Sequence, residues 1–358
     1  MSDDIPFNKT LDLVPGRVDE VAPGVRRVLA NNPSPFTFKG TVSYIVGHDR
    51  VAIVDPGPDD ESHIAALLDA VRGATVTHLF ITHTHRDHSP AAARIKAKTG
   101  AITVAEGPHR AARALNIGEA KRLDASADME FRPDVTLKDG ATVDGAGWSF
   151  EGVATPGHTM NHMAFALRGT EFLFCGDHVM GWSTPVVAPP DGAMSDYMAS
   201  LHKLTRRPER VYLPGHGDIV RDGPRLVEHY IRHRQGREAS ILRRLEKGAA
   251  DIPTLVRAIY IGLDRGSPAP PGCRCWHTWR IWSRAAWSRP TASRRSPAPT
   301  AWPRAEARPP PRYRRSARSR ATHWRRNRAC RNATPSGYRG ARHPRWDARG
   351  SPRRRESP

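Results

Sequence analysis

The amino-acid sequence predicts an α/β fold in which two β-sheets pack face to face and helices cover both, an αββα sandwich. Strands that alternate with surface helices favour this fold over an all-β fold. Through residues 1–264, short apolar segments rich in β-branched residues alternate with segments of helical period. Histidine-containing motifs follow several of the predicted strands. A third observation limits the folded part, because the composition changes abruptly near Asp264.

Each element is predicted from its local pattern. The helix 61–71 follows an acidic first turn and places Ile64, Leu67 and Val71 on one face. Ser89 is predicted to cap the next helix. The predicted strands are residues 40–46, 51–55, 76–82, 102–105, 148–154, 163–167 and 172–175. The predicted helices are residues 61–71, 90–98, 195–204, 224–246 and 255–260.

The positive charge of the chain lies almost entirely in its last quarter. Residues 265–358 contain 25 Arg and three acidic residues, whereas the whole chain has 56 basic and 36 acidic residues, so residues 1–264 are close to neutral. The last 94 residues contain no Leu, Val, Phe or Met, yet hold 7 of the 9 Trp. Such a segment has no aliphatic core, and we expect a disordered Arg/Pro/Trp-rich tail.

Three interpretations of this tail remain. It is a solvated basic segment, or an RNA-binding arm in which Arg contacts phosphates and Trp stacks on bases, or the product of a frameshift. When GC-rich codons are chosen for residues 275–289 and the frame is moved by one base, the segment becomes LAHLEDLVARGVV, which has the pattern of a helix, a turn and a strand. We favour the frameshift, because it explains the composition as well as the hidden pattern.

Composition also excludes other classes of protein. Cys175 is the one cysteine before residue 265, which excludes a disulfide framework in the body and fits a cytoplasmic location. No apolar run approaches the roughly 18 residues of a membrane span, and the chain begins with a polar, acidic stretch rather than a signal peptide. We therefore expect no membrane partner.

Side chains that can bind a metal are concentrated at the end of the predicted strand 76–82, in the sequence Thr82-His-Thr-His-Arg-Asp-His88. His83 and His85 are two residues apart and can point to the same side of an extended loop. Asp87 and His88 follow at the entrance to a helix. Imidazole and carboxylate together suit zinc. Three short motifs, each at the end of a predicted strand, add further ligands: Gly157-His158-Thr159, Gly176-Asp177-His178 and Pro214-Gly215-His216-Gly217.

These four motifs, in this order and spacing, resemble the metallo-β-lactamase fold superfamily over about residues 20–235. The resemblance implies a first zinc on His83, His85 and His158, a second on Asp87, His88 and His216, and a bridging carboxylate from Asp177. The cofactors are then two Zn²⁺, with Mn or Fe as alternatives.

The resemblance also implies roles in the reaction. Two adjacent ions lower the pKa of a shared water, and Asp87 and Asp177 are the predicted catalytic carboxylates. Asp55 resembles an aspartate that orients a histidine ligand; the alternative is a plain turn residue. His178 is a candidate to contact the substrate or donate a proton, and ranks below a water molecule.

A narrower resemblance links the chain to the lactamase-β-like endoribonucleases, through Asn32-Pro-Ser-Pro-Phe-Thr37, residues 176–181, 196–201 and 229–234. That group ends in a winged-helix-like module, which would begin near Asp251. His178 departs from it, since Cys is frequent there. The insert 107–138, with Arg110, Arg113, Lys121 and Arg122, is expected to be a solvated loop rather than a substrate groove.

These expectations divide the chain into a catalytic domain (1–235), a remnant of the winged-helix-like module (236–264) and the frameshifted tail (265–358). The leading hypothesis is a dinuclear zinc phosphodiesterase, an endoribonuclease acting on single-stranded RNA. The first alternative is a glyoxalase-II-like thioesterase acting on a small thioester or ester. The second is a nucleic-acid-binding protein that works through its basic tail. The sequence leaves the oligomeric state open, a homodimer included.

Overall fold

The computed structural model describes residues 5–112, 126–248 and 254–255. Within them the chain forms two β-sheets and four helices. The helices are α1 (Glu61–Ala70), α2 (Ala91–Thr99), α3 (Met194–Leu204) and α4 (Gly223–Leu245). The strands are β1 (Val18–Ala22), β2 (Val25–Leu29), β3 (Val42–Val46), β4 (Arg50–Val54), β5 (Thr75–Phe80), β6 (Ile102–Ala105), β7 (Val135–Thr136), β8 (Thr142–Gly145), β9 (Trp148–Ala154), β10 (Met163–Leu167), β11 (Phe172–Gly176) and β12 (Val211–Pro214).

Strands β1 to β7 form one sheet in chain order, and the other sheet has the order β12-β11-β10-β9-β8. The first sheet is antiparallel from β1 to β4 and parallel from β4 to β7. In the second sheet only β11 and β12 are parallel. Parallel neighbours need a crossover connection, and α1, α2 and α3 provide three of them.

The two sheets pack against each other through large apolar side chains. All five residues of β3 are buried, because both faces of this strand are covered. Its side chains alternate: Tyr44 packs between the sheets with Phe165 and Phe174, whereas Ile45 packs beneath α1 and α2. On the far side of the second sheet, α3 and α4 cover a separate apolar cluster that includes Tyr197. The layers therefore follow the order helix, sheet, sheet, helix, which confirms the predicted αββα sandwich.

The helix ends follow the sequence in one case and depart from it in another. Asp60 caps α1 by accepting a hydrogen bond from the backbone N–H of His63 at 2.8 Å. The prediction that Ser89 caps α2 is wrong. Its hydroxyl donates instead to Asp128 at 2.7 Å, and Pro90 precedes the first helical residue. The hydroxyl therefore connects the start of α2 to Asp128, within the insert 107–138.

The sequence missed four strands, β1, β2, β7 and β8, and it indicated β12 only as an apolar strand before the Pro214 motif, without bounds. Most of these strands are short, and β1 and β7 contain no buried residue, so apolar periodicity is weak there. Helix α4 passes through residue 235, where the boundary of the catalytic domain is predicted. Leu255, the first residue of the predicted helix 255–260, is half-buried. The predictions for the rest of the 255–260 helix, and for residues 265–358, lie outside the described residues. Among the described helices, none combines the length and apolar character required to cross a bilayer.

Candidate metal centre

The predicted ligands meet at one edge of the sandwich, in the loops that follow β5, β9, β11 and β12. Each loop begins where a buried strand ends, so the sheets fix the backbone from which the ligands project. The close packing leaves no room at Gly215, where a Cβ atom would lie 2.5 Å from the His88 ring and 2.8 Å from Asp177 Oδ1.

The first cluster comprises His83, His85, His158 and Asp177. His85 Nδ1 lies 3.0 Å from His83 Nε2 and 3.1 Å from His158 Nε2, so three imidazole nitrogens converge. His83 and His158 are buried, and His85 is half-buried. The cluster contains the three histidines that the resemblance assigned to a first ion, together with Asp177, which the resemblance assigned to both ions.

The second cluster comprises Asp87, His88 and His216. The Nε2 atoms of the two histidines lie 3.3 Å apart, and Asp87 Oδ2 lies 3.4 Å from His88 Nε2 and 3.2 Å from His216 Nε2. The Thr41 hydroxyl donates to the same Asp87 oxygen at 3.2 Å. Both rings are buried, whereas a quarter of the Asp87 side chain is exposed. Asp87 is therefore the member of this cluster that reaches solvent.

Asp177 lies between the two clusters, and each of its oxygens faces one of them. Oδ2 is 3.6 Å from His158 Nε2 and 3.9 Å from His83 Nε2. Oδ1 is 3.5 Å from His88 Nε2 and 3.3 Å from His216 Nε2. A single carboxylate can therefore serve both clusters.

In four of the histidines, the outer ring nitrogen, which points away from the ligand clusters, contacts another group of the protein. The other ring nitrogen of each faces inward, toward its cluster. His158 Nδ1 donates to the carbonyl of Val186 at 2.6 Å, and His216 Nδ1 donates to the carbonyl of Gly40 at 3.2 Å. The other two outer contacts are His83 Nδ1 with the Thr82 hydroxyl at 3.0 Å and His88 Nδ1 with Asp55 at 2.9 Å. Such partners fix the tautomer and the direction of the inward lone pair.

Asp55 is held in place at the end of β4. Its carboxylate accepts the backbone N–H and the hydroxyl of Thr82, each at 2.7 Å, besides contacting His88. Its φ of 49° lies in the left-handed region, an unusual conformation for a residue other than Gly, Asn or Asp. Asp55 therefore contacts the outer nitrogen of His88, and its role in positioning that ring stays a prediction.

The electrostatic surroundings of the clusters differ. Burial lowers the pKa of His83 well below its usual value, and neighbouring imidazoles add to this effect. Burial likewise lowers the pKa of His158 to about 4. In the second cluster burial acts in the same direction, but nearby carboxylates outweigh it and raise the pKa of His88, and that of His216 to about 9. Carboxylates therefore dominate the second cluster and imidazoles the first.

The residues present fit a pair of divalent cations. Five imidazole nitrogens converge at separations of 3.0–3.3 Å within their clusters, and the buried Asp177 Oδ1 atom makes no hydrogen bond. Buried polar atoms normally have partners. Borderline nitrogen ligands combined with carboxylate oxygens are a donor set that suits zinc.

The remaining predicted residues lie away from the ligand atoms. His178 is fully buried, its ring lies 4.6 Å from that of Tyr197, and neither of its ring nitrogens has a hydrogen-bond partner. Arg110 binds Glu106 and the carbonyl of Met160. Arg113, Lys121 and Arg122 of the insert lie outside the described residues.

Sequence reasoning missed several residues at the site. His162 accepts the backbone N–H of Asp177 at 3.2 Å, and its other nitrogen lies 2.8 Å from the Thr155 hydroxyl. Asp191 lies beside His85. The insert also contacts the site, since the backbone carbonyl of Ser126 accepts the backbone N–H of Arg86. His162, four residues after His158, carried a weak signal in the sequence, and the others carried none.

This fold, with its clustered histidines and aspartates, defines a metal-binding α/β sandwich, and comparison with known proteins gives its family. The family model of the metallo-beta-lactamase superfamily matches residues 36–216, about half of the chain and all seven candidate ligands. The chain therefore belongs to the metallo-beta-lactamase superfamily, and it is a metal-dependent hydrolase.

Named relatives and solved structures agree with this assignment. A Drosophila melanogaster protein named Beta-lactamase-like protein 2 homolog is 33% identical over 242 residues, covering 64% of this chain and 76% of its own. An Aspergillus fumigatus protein named Atrochrysone carboxyl ACP thioesterase is 31% identical over 263 residues, covering 68% and 75%. A metallo-beta-lactamase family protein from Thermus thermophilus shares the fold at a TM-score of 0.54, with 22% identity over 63% of this chain and 84% of its own.

Proposed function

We propose that the protein is a dinuclear zinc hydrolase that cleaves phosphodiester bonds in single-stranded RNA. The observation that carries the dinuclear part is the position of Asp177, whose two oxygens face the two ligand clusters separately. Bound at these clusters, the ions would supply Lewis acidity that activates water and stabilises negative charge on the substrate.

The protein's own residues set the geometry of this reaction. His83, His85 and His158 would hold one ion, Asp87, His88 and His216 would hold the other, and Asp177 would contact both. A quarter of the Asp87 side chain is exposed, and this carboxylate would accept a hydrogen bond from the attacking water. Asp55 keeps the His88 ring in position.

Charge and aromatic residues beside the ligand loops support an RNA substrate. Arg86, between His85 and Asp87 in the chain, is exposed, and so is Lys39, next to Gly40. Phe36, in the segment that resembles the endoribonucleases, is 54% exposed. Exposed cations suit phosphate contacts, and an exposed aromatic ring suits stacking on an unpaired base.

A thioester substrate is the second candidate, and one comparison favours it. A relative with 31% identity is named Atrochrysone carboxyl ACP thioesterase. The same pair of clusters would suit this reaction, since a tetrahedral oxyanion also needs charge stabilisation.

A parallel assay distinguishes the two. Zinc-loaded protein is incubated with single-stranded and duplex RNA oligonucleotides, with S-lactoylglutathione and with an acyl thioester of pantetheine. The proposal predicts cleavage of single-stranded RNA, and a rise in KM for RNA in Arg86→Ala and Lys39→Ala with an Arg168→Ala control unchanged. Turnover of a thioester without RNA cleavage would support the second candidate.

The hypothesis of a nucleic-acid-binding tail has its own test. A chain ending at Asp264 should keep its full metal-dependent activity if the metal centre is the functional site. If the truncated chain lost RNA binding and had no hydrolytic activity, the basic tail would be the functional part.

A further inference from the structure

The five histidines of the metal centre are not held equally, and His85 is the exception. Four of them have a hydrogen-bond partner on the outer ring nitrogen, at 2.6–3.2 Å. His85 turns Nδ1 inward, toward His83 and His158, and its Nε2 faces the carboxylate of Asp191 at 3.8 Å. This separation is too long for a hydrogen bond but is within the range of a charge contact.

Asp191 is itself fixed in a buried position. It is 4% exposed, and its other oxygen lies 3.3 Å from His109 Nε2. His109 Nδ1 lies 3.1 Å from the Thr84 hydroxyl, which also accepts a hydrogen bond from Asn161 at 2.9 Å. A buried carboxylate is retained only where donors or positive charge compensate its loss of water. The two imidazoles that face Asp191 are such partners.

The surrounding segment serves the same cluster. Residues 183–192, between β11 and α3, supply both Asp191 and the carbonyl of Val186 that binds His158. Gly192 allows this segment to lie against the turn that bears His158, because a Cβ atom at Gly192 would lie 2.3 Å from the Gly157 carbonyl oxygen. Two histidines of the first cluster are therefore oriented from one loop.

We propose that Asp191 is a positioning residue for the metal ligand His85, with His109 as the partner that holds its carboxylate. The negative charge beside Nε2 favours the tautomer that carries its proton on Nε2, and this leaves the Nδ1 lone pair directed into the first cluster. Asp191 contacts neither ion nor substrate, and it acts on the first cluster alone. The inference rests on the proposal that the two clusters hold two ions, but not on the identity of the substrate.

The test is the affinity of each ion in Asp191→Asn, measured by zinc competition with a chromophoric chelator and by elemental analysis. Loss of the charge should weaken one of the two ions roughly 10–100-fold and leave the other unchanged. The absorption spectrum of the cobalt-loaded protein should change in the band of one ion. His109→Gln should give a smaller effect of the same kind. Asp196→Asn is the matched control, because Asp196 is on α3 and lies outside both ligand clusters.

Melting curves of the metal-free proteins separate positioning from folding. Metal-free Asp191→Asn with the melting temperature of the control, and a weakened single ion, would support the inference. Two ions bound with wild-type affinity and spectrum in Asp191→Asn would overturn it, as would equal weakening of both ions. Wild-type protein that binds fewer than two ions would instead overturn the dinuclear function.

Discussion

The two ligand clusters share Asp177, yet different parts of the fold hold them. The second cluster is held from outside by Asp55, at the end of β4, and by the carbonyl of Gly40, just before β3. The first cluster depends on the Thr82 hydroxyl, just after β5, and on two groups of the 183–192 segment, the carbonyl of Val186 and the carboxylate of Asp191. One cluster is anchored in the core sheet and the other largely in a loop. We therefore expect the two sites to respond separately to mutation.

Asp177→Asn replaces the carboxylate that the two clusters share. We expect it to lower activity more than any other substitution proposed here. The side chain keeps its shape, but the negative charge that faces both clusters is lost. Activity should fall by more than the roughly 100-fold that loss of an outer partner costs, and fewer than two ions should remain per chain. Elemental analysis and activity measurements check this, with the exposed Asp144→Asn as control. An active, folded wild-type enzyme with one ion or none would contradict the shared carboxylate.

Asp55→Asn acts directly on the sheet-anchored cluster, and on the first cluster only through the Thr82 hydroxyl that contacts His83. Asn tolerates the positive φ at this position, so the fold should persist while His88 loses its charged partner. One ion should bind roughly 10–100-fold more weakly, as measured by chelator competition. Asp59→Asn, four residues away and exposed, serves as the control. If both ions weakened to the same degree, the separation of the two clusters would be wrong.

Gly192→Ala tests the loop that holds the first cluster. The added Cβ atom would lie 2.3 Å from the carbonyl oxygen of Gly157 and 2.6 Å from that of His158, so the loop has to shift. We expect a loss of about 1–3 kcal/mol in the free energy of unfolding and weaker binding of one ion, measured by denaturant titration and zinc competition. In Gly169→Ala the Cβ atom meets nothing within 4 Å. That control should lose stability through its positive φ but keep both ions. If Gly192→Ala also lost stability and kept both ions, the 183–192 loop would not anchor the first cluster.

His178→Ala should have the smallest effect on activity. The ring is buried beside Tyr197 and neither nitrogen has a hydrogen-bond partner, so kcat/KM and its pH profile should remain as in the wild type. The melting temperature should fall, because a buried ring is replaced by a cavity. His162→Ala leaves a similar cavity but removes the acceptor of the Asp177 N–H, and it should lower activity. A changed pH profile in His178→Ala would restore His178 as a proton donor.

The residues that form the two ligand clusters were predictable from the sequence. Most of the groups that hold the histidine rings from outside were not. Ligands such as His83 and His216 lie in short motifs directly after apolar strands, and strand ends place such motifs at one edge of a sheet. Two outer partners act through backbone carbonyls, at Gly40 and Val186, and every residue has a carbonyl group. Asp191 is far from His85 in the chain, and only the folded connection between β11 and α3 brings them together.

The turn that carries Asp177 begins with a buried cysteine whose reactivity would measure local unfolding of that turn. The Cys175 thiol is fully buried at the end of β11 and donates to the carbonyl of Val179 at 3.1 Å. Burial raises the pKa of this thiol far above its usual value, so the reactive thiolate is suppressed while the turn is closed. Alkylation of Cys175, followed by mass spectrometry of its peptide, then occurs at a rate set by local unfolding. The labelling rate would report how often the shared carboxylate leaves its place.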